Sequence, residues 1–189
     1  MFLLILGLVL FFGAHGLSMA RGLRASLIAA LGAQPYKGLF SLVSGAGLAL
    51  IIWGFGDYRS NGLSPLWTPI PGLRHLTHLL VLLAFILLVA TYAPRGRIKA
   101  FVKHPMLASV TLWSLGHLLA NGDLGGLLLF GSFLAFSIID RIAVELRGDD
   151  SIPPPVSVMG DVTAVFGGVI GFGAMAMLHP LLIGVPVFP

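Results

Sequence analysis

The chain has 189 residues, of which 57% are hydrophobic and only 10% charged, with a net charge of +4 and a mean hydropathy of +1.00. A soluble domain carries roughly a quarter charged residues to cover its surface, so these figures exclude an ordinary water-soluble globule. Cys is absent, which removes disulfides, thiolate metal ligands, thioether haem attachment and Cys nucleophiles, and the basic residues lie in short loops without an aromatic-basic face, which excludes nucleic acid as a partner.

Crossing about 30 Å of hydrocarbon takes about 20 helical residues. The first predicted span is 2–20; with no basic residue before its long apolar run it reads as a retained helix rather than a signal peptide. It carries His15, preceded by Phe11, Phe12 and Gly13, where the missing side chain leaves room for a partner helix or a flat ligand. Leu23, Leu27, Ile28 and Leu31 then fall on one helical face flanked by Arg21 and Arg24, which predicts a short helix along the membrane interface, ended by Pro35. The second span is 39–56, with Ser41 and Gly45 as small packing residues.

The third span, 75–93, follows Pro71-Gly72 and opens with His75 and His78. These two are three apart, as zinc ligands often are, but nothing in the sequence completes a zinc site, so they read as polar residues of the membrane edge. A loop with Arg95, Arg97, Lys99 and Lys103 leads through His104-Pro105 into the fourth span, 105–120. There Trp113, Ser114, His117 and Asn121 share one helical stripe, which either lines a pocket or satisfies a neighbouring helix. The triplet Asn121-Gly122-Asp123 is a tight turn into the fifth span, 124–139. Asp140 and Glu145 lie near its end and Asp149, Asp150 and Asp161 in the fifth loop; Glu145, Asp149 and Asp150 read as a solvated surface, and Ile152-Pro153-Pro154-Pro155 as a polyproline-type link. The sixth span, 162–183, has Gly167 and Gly171 at GxxxG spacing, and its His179-Pro180 pair marks a helix boundary, as does His104-Pro105.

The expected fold is therefore all-α: one polytopic membrane domain, 1–189, of about six helices in a lipid bilayer. Nine of the eleven basic residues fall in the first, third and fifth loops and two, Arg59 and Arg74, in the second. By the positive-inside rule both termini then lie outside the cytoplasm. No serine-hydrolase elbow or phosphate-binding loop is present, so hydrolysis and nucleotide binding are set aside.

Read together, Phe12-Gly13-Ala14-His15-Gly16, Pro71-Gly72, Lys103-His104-Pro105, Trp113-Ser114-Leu115-Gly116-His117 and His179-Pro180-Leu181-Leu182-Ile183-Gly184 resemble the NnrU-like membrane family, named from its occurrence with denitrification genes. The resemblance runs nearly end to end and implies a bacterial inner-membrane protein. That family is similar to the zeta-carotene isomerases, haem b membrane proteins acting on a carotenoid cis double bond. The resemblance implies haem b as cofactor, with His15 and His117 as iron ligands and Trp113 and Ser114 in the binding motif. Where the isomerase motif has Cys, this chain has Ser114, which removes Cys-dependent ligand exchange. Rise per residue puts His15 some 20 Å, and His117 roughly 6–12 Å, from the outer ends of their spans, so the two share one iron only if tilt closes the gap. The expected activities are polyene isomerisation or support of nitrogen-oxide respiration. Two alternatives stand beside them: a non-catalytic assembly factor for a respiratory reductase, and an S-adenosylmethionine-dependent methyltransferase, suggested by a more distant similarity of Lys103-His104-Pro105. In the latter, Lys103 and Arg97 would hold a cofactor carboxylate; the bland reading of that basic loop is attraction to anionic lipid.

Overall fold

The computed structural model describes residues 1–148 and 157–188; Asp149, Asp150 and the expected polyproline link at 152–155 lie outside the described residues. The fold is all-α. Its helices are α1 (Phe2–Gly16), α2 (Arg21–Leu31), α3 (Ala33–Ser60), α4 (Arg74–Tyr92), α5 (Arg97–Val102), α6 (Pro105–Ala120), α7 (Leu124–Leu146) and α8 (Val158–Ile183). A single 3-10 turn, Pro71–Leu73, leads into α4.

Among the described residues, four segments are long and apolar enough to cross a membrane alone: α3, α4 with its 3-10 turn, α7 and α8. The other two expected spans are shorter. At 16 residues α6 is roughly 24 Å long, and α1, at 15 residues, passes the same test only together with α2, from which it is bent by 87°. The expected span at 2–20 thus stops at Gly16, because 17–20 form a turn in which the amides of Leu17 and Ser18 bond back to Ala14 and His15.

The chain forms two compact units. The first comprises Met1–Thr68 and Asn121–Phe136, the second Pro69–Ala120 and Ser137–Pro189. In the first unit α1 lies along α3 with glycine against backbone. A Cβ on Gly7 would fall 2.6 Å from the Ile51 nitrogen, and one on Gly47 would fall 2.7 Å from the Phe11 nitrogen. Small residues permit this approach where lipid supplies no hydrophobic drive. The expected pair was Ser41 and Gly45, but a Cβ on Gly45 would meet nothing within 4 Å; Gly45 lies on a different face of α3 from Gly47. The first half of α7 completes the unit through rings: Phe133 lies 5.5 Å from Phe11 and 4.9 Å from Phe12, and Phe130 lies 6.3 Å from Phe55.

Pro35 does not end α2. Gly32, at φ +86°, closes α2 by bonding its amide to Ile28 and starts α3 by accepting from Tyr36. Pro35 is the third residue of α3, where a missing amide hydrogen costs no helical bond. The turn after α6 is as expected: Asp123 caps α7 by accepting from Gly126 at 2.8 Å, and it pairs with Pro65 in a short antiparallel bridge.

In the second unit α4 is central, between α6 and α8. On α8 the closest approach to α4 is Gly168, where a Cβ would sit 2.5 Å from the Ile86 Cα. The expected Gly167 and Gly171 meet only side chains, those of Val89 and Phe85. Hydroxyls hold the other contacts, Ser109 donating to Ala84 at 2.7 Å and Thr111 sharing a 2.9 Å bond with Ser137. Pro180 does not break α8 either. The helix runs on to Ile183 and stops at Gly184, φ +79°, because continuing it forfeits one backbone bond whereas ending it would expose a whole turn to lipid.

Candidate functional sites at two histidines

Both motif histidines are held by the same local device. His15 is the penultimate residue of α1, and its Nδ1 lies 2.8 Å from the carbonyl oxygen of Phe11, one turn back. His117 is near the end of α6, and its Nδ1 lies 2.8 Å from the carbonyl oxygen of Trp113, also one turn back. A carbonyl only accepts, so each Nδ1 is the protonated nitrogen. In the neutral ring Nε2 then has the lone pair. The aromatic residue four positions earlier packs on each imidazole, Phe11 at 4.1 Å between ring centres and 26° between planes, Trp113 at 4.9 Å and 47°. Backbone bond and ring contact together fix the imidazole's orientation.

The surroundings differ between the units. In the first unit His15 sits among Phe11, Phe40 at 5.2 Å and Phe136 at 6.3 Å, the last edge-on at 90°. The sequence placed Phe11 and Phe12 near His15, whereas Phe40 and Phe136 come from distant elements. In the second unit Ser114 is fully buried, at 0% exposure, and its Oγ has no hydrogen-bond partner among the described residues. Asn121, expected on the stripe with Trp113 and His117, lies beyond the end of α6 and groups with the first unit. The helix stops at Ala120, so the stripe is cut to three residues.

The remaining histidines serve the fold. His78 donates from Nε2 to the Val187 carbonyl at 3.2 Å and meets the ring of Phe188 at 5.1 Å; His179 donates from Nδ1 to the Val185 carbonyl at 2.6 Å. His78 thereby straps the segment after α8 onto the start of α4, while His179 ties it back to the end of α8. His75 lies edge-on to His78, 6.4 Å away. His104 precedes α6, accepting from Ala108, as a helix-boundary residue should. Among the described residues no group of three or more His, Asp or Glu gathers in a way that could hold a metal ion.

The basic loop is partly turned inward, Arg97 and Lys103 being exposed. Lys99 donates from Nζ to the Thr91 carbonyl at 2.7 Å, closing the end of α4. Lys103 sits at φ +64° in a tight turn closed by a 2.7 Å bond from the His104 amide to the Val102 carbonyl. That carbonyl also accepts from Arg141, which pairs with Glu145 at 2.6 Å. Asp161, placed by the sequence in the fifth loop, lies in the first turn of α8 and accepts from the amides of Arg97 and Ile98 at 3.0 and 2.9 Å, capping α5. No local signal in the sequence marks this role, because 63 residues separate the partners.

A family model described as NnrU protein matches residues 3–187. No curated protein and no solved structure matches the chain.

Proposed function

The chain belongs to the NnrU protein family, and from that premise we propose that it is a membrane haem b protein with His117 as an iron ligand and His15 as a further ligand or a pocket wall. The observation that carries this reading is the repeated device at the two histidines: Nδ1 tied to the carbonyl of residue i−4, leaving Nε2 as the basic nitrogen. Ligating imidazoles elsewhere are oriented in this way, with the second nitrogen donating to a carbonyl or carboxylate that fixes the tautomer and raises basicity. A Cys-free chain with aromatic rings at both sites suits an apolar porphyrin held by imidazole alone.

In the division of labour we propose, Phe11 and Trp113 orient the rings and Phe40 and Phe136 keep water from His15. Ser114, with an unspent hydroxyl, offers the hydrogen bond for a polar group of cofactor or substrate. The cofactor supplies a one-electron iron couple, which suits isomerisation of a hydrophobic polyene or support of nitrogen-oxide respiration. The protein then sits in a bacterial inner membrane with both termini outside; a cytoplasm-only reporter fused to the C-terminus should be inactive. The test of the cofactor is a reduced-minus-oxidised spectrum of protein purified from haem-replete cells. A Soret band that shifts in His117→Ala and His15→Ala and vanishes in the double variant is expected. Folded protein without the band, or a band indifferent to both substitutions, refutes the proposal.

A second reading has its own support. Gly13, Gly38 and Gly45 would meet nothing within 4 Å of an added Cβ, so small residues remain available to an outside helix. The chain would then be an assembly factor beside a respiratory reductase; mild extraction that recovers a reductase subunit and no cofactor favours it. The methyltransferase alternative, which rests on Arg97 and Lys103, gains no such support; both residues are exposed.

A further inference from the structure

Helix α2 packs weakly on its unit. None of its residues is buried, and Leu23 and Leu31 are exposed. At 11 residues it is shorter than the roughly 12–15 at which an isolated helix holds in water. No side chain caps its start, its first turn has no acidic residue, and Arg21 instead places a cation at the positive end of the helix dipole. A helix of this kind needs stabilisation from outside the chain. Its 87° bend from α1 supplies the orientation: with α1 along the membrane normal, α2 lies in the membrane plane, whereas a re-entrant hairpin would need a near reversal.

Charge identifies the partner. No acidic residue precedes Asp57, while Arg21, Arg24 and Lys37 all do. The acids of the first unit, Asp57 and Asp123, lie at the far end of α3, roughly 30 Å along the helix from Lys37. On the helical wheel Leu23, Leu27 and Leu31 form one stripe, with Arg24 on its flank and Gly22, Ala25, Ser26 and Ala29 opposite. Arg24 lies over the ring of Tyr36, 6.0 Å from its centre, at the edge of that stripe. Independently of the cofactor reading, we infer that α2 and Lys37 form a docking surface for an anionic phospholipid leaflet. The leucines enter the acyl boundary, and Arg21, Arg24 and Lys37 meet lipid phosphates.

The absence of Cys makes the test direct, because a single introduced thiol is the only labelling site. An environment-sensitive fluorophore is attached to Ala30→Cys, beside the leucine stripe, or to Ala25→Cys on the opposite face. The full chain is reconstituted in phosphatidylcholine vesicles with or without one quarter phosphatidylglycerol. With phosphatidylglycerol, the label at position 30 should emit to the blue and resist an aqueous quencher, while the label at 25 stays quenchable. Removing phosphatidylglycerol, or exchanging Arg21, Arg24 and Lys37 for Gln, should expose the label at 30, the three cations together biasing docking on the order of a hundredfold. Arg21→Lys with Arg24→Lys should keep the protection, which separates charge from folding. Equal protection with and without phosphatidylglycerol overturns the inference. So does protection that follows protein density, since the occupant is then a second copy of the chain.

Discussion

Alanine at Gly168 should loosen the second unit, and alanine five residues on should not. A Cβ at Gly168 would lie 2.5 Å from the Ile86 Cα and 2.7 Å from its nitrogen, and both neighbours are backbone of α4. Neither can rotate away, so α8 must retreat by roughly 1 Å and loosen the contact on either side; overpacking of this kind costs about 1–3 kcal/mol. At Gly173 the same Cβ meets nothing within 4 Å, and the variant gains about 0.5–1 kcal/mol from helix propensity. That gain is common to both variants, so the two should differ by the overpacking cost, about 1–3 kcal/mol. Gly167→Ala should fall between them, because its neighbour at 3.0 Å is Cγ1 of Val89, a side chain that can shift. The assay is loss of helical circular dichroism as dodecyl sulfate is titrated into purified protein in mild detergent. If Gly168→Ala and Gly173→Ala unfold at the same detergent fraction, the close approach of α8 to α4 is wrong.

Asp161→Ala should release two amides of α5 at a cost of about 1–2 kcal/mol, seen as faster hydrogen exchange confined to Arg97–Val102; uniform exchange across α8 would contradict the capping role. Lys103→Gly should stabilise by about 1 kcal/mol, since glycine adopts the positive φ without strain; a lower unfolding midpoint would show that the Lys103 side chain is worth more than the strain. Ser114→Ala should leave cofactor-free protein as stable or make it about 1 kcal/mol more stable, because the buried hydroxyl has no partner to lose; a large loss of stability would reveal a bond at that oxygen.

Much of this architecture is legible in the sequence because lipid imposes a simple demand: each crossing segment must be apolar and must satisfy its own backbone. The expected segments at 75–93 and 105–120 coincide with α4 and α6 to within a residue. The turn at 121–123 is read from side chains that bond their own backbone, and Asp123 does so. The candidate histidines are also local features, since an aromatic residue one turn before an imidazole is visible as Phe11 with His15 and Trp113 with His117.

What composition, periodicity and spacing determine here is an all-α membrane protein, the rough position of each apolar helix and, with Cys absent, that a metal could be held only by His or oxygen ligands. Only the tertiary structure decides which glycines meet backbone. Gly167 and Gly168 are equally small, and which of them faces α4 depends on the rotation of α8, which an almost wholly apolar helix does not advertise. The same holds for Asp161, whose carboxylate is satisfied by amides 63 residues earlier in the chain, and for His78, which bonds the carbonyl of Val187 after α8. Hydrophobicity is a property of each residue and can be read one residue at a time, whereas a close contact or a distant hydrogen bond belongs to a pair, and only the packed fold brings the two together.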